Sequence, residues 1–134
     1  MPSDSERKLL YAGVTDKIIG GFYAVYNAHG YGFLESVYRR SMRLCLERQG
    51  ISVQAEAPYP VTFLGEEVGM YRADLVVSQC IIVECKSVEH LVAAHEAQLM
   101  NYLKASGLAV GLLLNFGPRP MFRRMARSHS PDPP

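Results

Sequence analysis

A chain of 134 residues, 49% hydrophobic and 20% charged, can bury roughly two-thirds of its unfolded surface in one core without disulfides or a structural metal. Its apolar content excludes a wholly disordered chain, and a net charge of +1 excludes a bulk polyanion binder. Cys45, Cys80 and Cys85 have no CxxC spacing, which argues against a disulfide framework or a zinc site and points to a reducing cytoplasm.

Residues 1–13 are weakly patterned and are expected to form an N-terminal arm. Ile18, Ile19, Phe22, Val25 and Tyr26 then recur at helical spacing, which predicts a helix from about Thr15, its expected N-cap, to Ala28. A second helix is predicted over about Phe33–Gln49, with Leu34, Val37, Tyr38, Met42, Cys45 and Leu46 as its apolar stripe. After Gly50 the period becomes that of strands. Ile51–Ala57 and Tyr59–Leu64 are predicted as short strands around Pro58, and Pro60 marks an edge. Val68–Val77 and Cys80–Lys86 are two further strands, followed by a helix over about His90–Ala105 and a buried strand over Leu108–Asn115. No run is long and apolar enough to cross a membrane, and the start MPSDSERKLL lacks the apolar region of a secretory signal.

The expected order is ααββββαβ: an α/β (α+β) domain over 14–117 with a mixed central sheet of about four strands flanked by helices. Residues 118–134 carry Arg119, Arg123, Arg124 and Arg127 against Asp132 alone. They are expected to be a basic, Pro-containing, partly disordered tail that could add salt-dependent affinity for a polyanion.

The stretch from Arg72 to Lys86 carries the chemistry. Ile81–Val83 reads as a strand buried on both faces, yet Glu84 and Lys86 follow in the same strand and share a face, with Cys85 on the other. A buried carboxylate and ammonium cost several kcal/mol unless paired or functional. Asp74 precedes Glu84 by ten residues. A tight two-residue turn at Ser78-Gln79 would oppose Asp74 to Val83. Only a 77–81 pairing, with an odd loop or a bulge, opposes Asp74 to Glu84. Two carboxylates side by side would make a hard-oxygen site for Mg²⁺ or Mn²⁺, with Lys86 beside them to orient or deprotonate a water. The competing reading is a strand-end ion pair between Glu84 and Lys86.

Further candidates lie on the helices. His95, Gln98 and Tyr102 fall on one helical face, where Gln98 and Tyr102 could hold a phosphate or a water and His95 reads as structural or solvent-exposed. Glu35 is either an acid capping the second helix at N3 or a third carboxylate of the site, flanked by Tyr38. Arg39, Arg40 and Arg43 form either a solvated face or phosphate contacts. Cys80 and Cys85 read as small buried hydrophobes.

Gly32-Phe-Leu-Glu35-Ser-Val-Tyr38 resembles the pattern of the GxxExxY proteins. The resemblance continues through Tyr71-Arg72-Ala-Asp74, Ile82-Val-Glu84-Cys-Lys86, His95-Glu-Ala-Gln98-Leu-Met-Asn-Tyr102 and Gly111-Leu-Leu-Leu-Asn-Phe-Gly117, over about residues 9–125. That family resembles a compact branch of the PD-(D/E)xK nuclease superfamily, so the resemblance implies a restriction-endonuclease-like core. It implies that Asp74 and Glu84 bind Mg²⁺ (or Mn²⁺) with Glu35 assisting, that the backbone carbonyl of Cys85 is a further ligand, and that Lys86 is the catalytic lysine. Gln98 and Tyr102 match the Q-x₃-Y element of RecB-type nucleases and would hold substrate.

The activity so implied is metal-dependent phosphodiester hydrolysis in the cytoplasm on nucleic acid, DNA by superfamily analogy, with a homodimer or a protein partner supplying specificity. The alternatives are a non-catalytic nucleic-acid- or protein-binding module that retains the fold, and a structural domain with a coincidental ion pair.

Overall fold

The computed structural model describes residues 3–127, with elements in the order α1 (Asp4–His29), α2 (Glu35–Glu47), β1 (Val53–Phe63), β2 (Glu66–Val77), β3 (Ile81–Lys86), α3 (Ala93–Ser106), β4 (Val110–Phe116) and β5 (Pro120–Ala126). The five strands form one sheet in spatial order β1-β2-β3-β4-β5. Only β3 and β4 run parallel, joined by the α3 crossover, so the sheet is mixed as expected.

Alternation along the strands fills two cores. Leu75, Val77, Ile81, Val83, Cys85, Leu112 and Leu114 face Ile18 and Phe22 of α1 and Tyr38, Met42 and Leu46 of α2. Val76, Ile82 and Leu113 face Leu99 and Leu103 of α3 on the opposite side. At β4 the approach of α3 is close enough to need a glycine, since a Cβ on Gly111 would stand 2.8 Å from Leu99 Cδ1.

Four sequence expectations are corrected. The arm expected over residues 1–13 is helical from Asp4: Tyr11 and Val14 pack on the core, so apolar contacts carry α1 through Thr15. Thr15 is therefore a buried mid-helix residue and not an N-cap. The two strands expected around Pro58 are one. Pro58 and Pro60, two residues apart, are both exposed on an edge strand that tolerates their missing donors. The tail expected from residue 118 begins instead as β5, because Gly117-Pro118 is a hairpin connection, with Phe116 paired to Pro120 and Val110 to Ala126. Residues 128–134, where the rest of that expectation falls, lie outside the described residues.

Two local features position the site. Val77 pairs with Ile81 across a three-residue loop, Ser78-Gln79-Cys80, in which Ser78 and Gln79 take φ of 51° and 59° and Cys80 N donates to Val77 O at 3.1 Å. This is the odd loop that opposing Asp74 to Glu84 requires. The β1–β2 ribbon also turns over. Ala55 and Leu75 pack against the α1/α2 side, whereas Ala57 and Ala73, two residues further along each strand, pack against α3. The turnover falls at Glu56, whose φ is 54°, opposite Asp74. A left-handed non-glycine residue costs roughly 1–2 kcal/mol, and such strain concentrates at functional sites.

Candidate active site

The β2–β3 ladder ends at Leu75↔Val83, one step before Asp74 and Glu84. Beyond that point the two strands part. The Asp74 carboxylate occupies the gap and accepts a hydrogen bond from Cys85 N at 2.9 Å, in place of a backbone carbonyl. N–H and C=O of one extended residue point to the same side of the strand, so the Cys85 carbonyl also looks toward β2 and Asp74. Its side chain is buried on the α1/α2 side, where burial raises the thiol well above its ordinary range and leaves it an inert apolar group.

Glu84 is 6% exposed. The hydroxyl of Tyr71 donates a hydrogen bond to its Oε1. Burial pushes its carboxyl up to about 8, and the neighbouring Asp74 carboxylate pushes the same way, against the Tyr71 hydrogen bond. Burial, and then Glu84, likewise drives the Tyr71 phenol upward, so it stays protonated as a donor. The ring of Tyr71 stacks on Tyr102 with centroids 3.4 Å apart and planes 11° apart.

Lys86 shares the α3-facing side of β3 with Glu84, and its Nζ donates to Gln98 Oε1 at 3.2 Å. Gln98 and Tyr102 thus stand over the carboxylates from α3, as their helical spacing predicts. His95 does something else: it caps α3, with Val92 N donating to its Nδ1 at 3.1 Å and its own backbone N–H reaching Val92 O at 2.9 Å.

Glu35 opens α2 at its first residue, not at N3, and makes no side-chain cap. Its Oε1 instead accepts from Ser87 N at 3.3 Å, one residue beyond Lys86. Among the described residues no group of three or more His, Cys, Asp or Glu side chains is placed to hold a metal, and Glu35 stands at Ser87, at the border of the Asp74–Glu84 pair. Tyr38 does not flank Glu35. It is buried against Phe116, donates to Gly30 O at 2.6 Å and accepts from Phe33 N at 3.2 Å, which fixes the turn that launches α2.

Two contributors, Tyr71 and Asn115, were not foreseen from the sequence, and a third, Arg39, was expected only as a solvated-face residue or a phosphate contact. Tyr71 belongs to the strand but carries no spacing signal pointing to Glu84. Arg39, one of the three helix arginines, reaches Asp74 Oδ1 at 3.5 Å and Glu56 Oε1 at 3.7 Å, and its position one turn after Glu35 is a signal that could have singled it out. Arg43 pairs with Glu47 and is a solvated-face residue. Asn115, buried in β4, clamps the chain beyond Lys86 by accepting from Val88 N at 3.0 Å and donating to Val88 O at 2.9 Å.

The donor set fits a hard divalent cation. Two carboxylates and a backbone carbonyl converge where the strands part, and buried Glu84 retains its proton unless positive charge stands beside it. Arg39 supplies part of that charge, to Asp74 only.

Among curated proteins nothing matches the chain. Among solved structures, the chain is similar to the protein solved as "Crystal structure of SSO0001", with 18% identity, 71% of this chain and 50% of that one covered, and a TM-score of 0.55. At that identity the likeness concerns the fold alone, and this chain spans about half the length of that protein. No helix among the described residues is long and apolar enough to cross a membrane. The profile of the PD-(D/E)XK nuclease superfamily matches residues 12–127, running from α1 through β5, and the chain belongs to that superfamily.

Proposed function

We propose that the protein is a Mg²⁺- or Mn²⁺-dependent nuclease that hydrolyses phosphodiester bonds in DNA, and that within its superfamily it is a GxxExxY protein. The observation that carries this reading is the opposition of Asp74 and Glu84 where the β2–β3 ladder ends, with Lys86 on the same face. Asp74, Glu84 and the Cys85 carbonyl would hold the cation, with Glu35 assisting from the mouth of α2. The cation would supply neutralising charge to the scissile phosphate and acidify the attacking water.

Lys86, steadied by Gln98, orients that water and sets positive charge against the developing oxyanion. Tyr71 donates to one Glu84 oxygen and fixes the carboxylate's orientation. Arg39 holds Asp74 in the gap between the strands. Gln98 and Tyr102 face the incoming strand. The three free cysteines suit a reducing cytoplasm. A second copy, or a protein partner, would supply sequence specificity.

The test is cleavage of labelled single- and double-stranded DNA with Mg²⁺ or Mn²⁺, run beside calorimetric Mn²⁺ binding. Lys86→Ala and Asp74→Ala should each lower the rate by at least about 10²-fold. Asp74→Ala should also abolish Mn²⁺ binding, whereas Lys86→Ala should keep it. A wild-type protein that neither cleaves nor binds Mn²⁺ sinks the proposal and leaves the non-catalytic binding module.

A further inference from the structure

Beside the carboxylates, a groove of about 550 Å³ opens between α3 and the overhanging part of the β1–β2 hairpin. It has the size of a small-ligand site. Pro60 and Val61 form its hairpin wall, and Asn101, Tyr102 and Lys104 line it from α3. Each lining group suits one part of a nucleotide. Tyr102 is half-buried, and its ring is already held flat by the stack on Tyr71. Such a preset aromatic face is the platform on which nucleobases stack. Pro60 and Val61 offer an apolar wall facing it. Asn101 is exposed and carries the amide donor–acceptor pair that reads a base edge. Lys104, one turn of helix beyond Met100, brings an exposed cation for a phosphate.

The groove is wired to the site by direct contact, since Tyr102 stacks on Tyr71 and Tyr71 bonds Glu84. A base seated there belongs to a nucleotide close to the scissile phosphate.

We infer that this groove is a nucleobase subsite, and that the protein acts on an unpaired nucleotide: a single strand, a frayed end or a flipped base. This deepens the nuclease reading and rests on it for the location of the scissile phosphate. A paired base in a continuous duplex has both faces covered and its Watson–Crick edge engaged, so it cannot enter a groove walled on two sides.

The test is binding by the wild-type full chain in EDTA, so that its outcome does not depend on cleavage. The probe is a short DNA strand with a central 2-aminopurine, offered single-stranded, as a blunt duplex and as the RNA equivalent. The single strand should bind at least about tenfold tighter than the duplex, with fluorescence quenched on stacking. Asn101→Ala, on the exposed face of α3, should weaken single-strand binding several-fold and leave duplex binding unchanged, and Lys104→Glu should weaken the single strand several-fold more than the duplex. Tyr102→Leu should remove the quench. A preference for the RNA strand supports the subsite and reassigns the sugar. Equal affinity for strand and duplex overturns the inference, as does single-strand affinity unmoved by Lys104→Glu and Asn101→Ala. Failure of Mg²⁺-dependent cleavage with these binding results intact would instead remove only the nuclease reading.

Discussion

Glu84 keeps its proton into the neutral range because burial and Asp74 both oppose its charge. The folded form therefore binds a proton that the unfolded chain, with an ordinary carboxyl of 4.5, has already lost at neutral pH. Stability from this group is fully present below about pH 4.5 and drains away as pH rises toward the folded value of about 8. Glu84→Gln mimics the protonated acid and keeps an acceptor for Tyr71. In EDTA the variant should match the wild type at acid pH and exceed it at about pH 8.5, by on the order of a few kcal/mol, or several degrees in melting temperature. Mn²⁺ should raise the melting temperature of the wild type and leave that of the variant nearly unchanged. Equal pH profiles for the two proteins would show that Glu84 is not the group responsible.

Among the elements, the Ser78-Gln79-Cys80 loop controls the most chemistry while contributing none. Its three residues set the Val77↔Ile81 register, which aligns Asp74 with Glu84. Replacing Ser78-Gln79 with Asn-Gly (Ser78→Asn, Gln79→Gly) would favour a two-residue turn that pairs Val77 with Cys80 and shifts β3 by one place against β2. Glu84 and Lys86 would then exchange faces with Val83 and Cys85, at the cost of buried charge on the α1/α2 side. The expected outcome is loss of Mn²⁺ binding together with a large fall in the unfolding midpoint; retained metal affinity would mean that the three-residue loop and its register had persisted.

The same loop shows why much of the site was legible in the sequence. Face assignment in a strand is a parity argument, and parity needs only residue numbers. It also shows why Arg39 and Tyr71 were not. Arg39 reaches Asp74 from another element, and Tyr71 reaches Glu84 only because the ribbon turns over at Glu56. No local pattern announces a left-handed glutamate. Glu35 was misplaced for a related reason: an acid in a first turn satisfies the capping pattern equally well whether it bonds its own helix or, as here, Ser87.

At the scale of the whole molecule, the sheet does not end where composition changes. The run Pro120–Ala126 is basic enough to look like a solvated tail, yet Phe122 and Met125 pack on opposite cores while Arg123 and Arg124 lie on the exposed edge. Charge on an edge strand guards it against pairing with other chains. A chain truncated after Gly117 would bare the outer edge of β4, which is buried along its whole length. It should lose cooperative unfolding or aggregate, as followed by circular dichroism and light scattering. A stable, monomeric 1–117 fragment would return β5 to the status of a tail.

The parallel pairing of β3 with β4 has a consequence for how the protein folds. It joins Ile81 to Val110, 29 residues apart, whereas β2 meets β3 across a three-residue loop and β4 meets β5 through an equally short connection. The hairpins can close early because little chain entropy is lost, but the central ladder must wait for α3 to dock and bring β4 home. Gln98 and Tyr102 lie within that slow crossover. Asp74, Glu84 and Lys86 can thus be aligned in a hairpin well before the two α3 side chains arrive. The strand half of the site is thus set by local hairpin closure, and its helical half comes only with the last closure of the sheet.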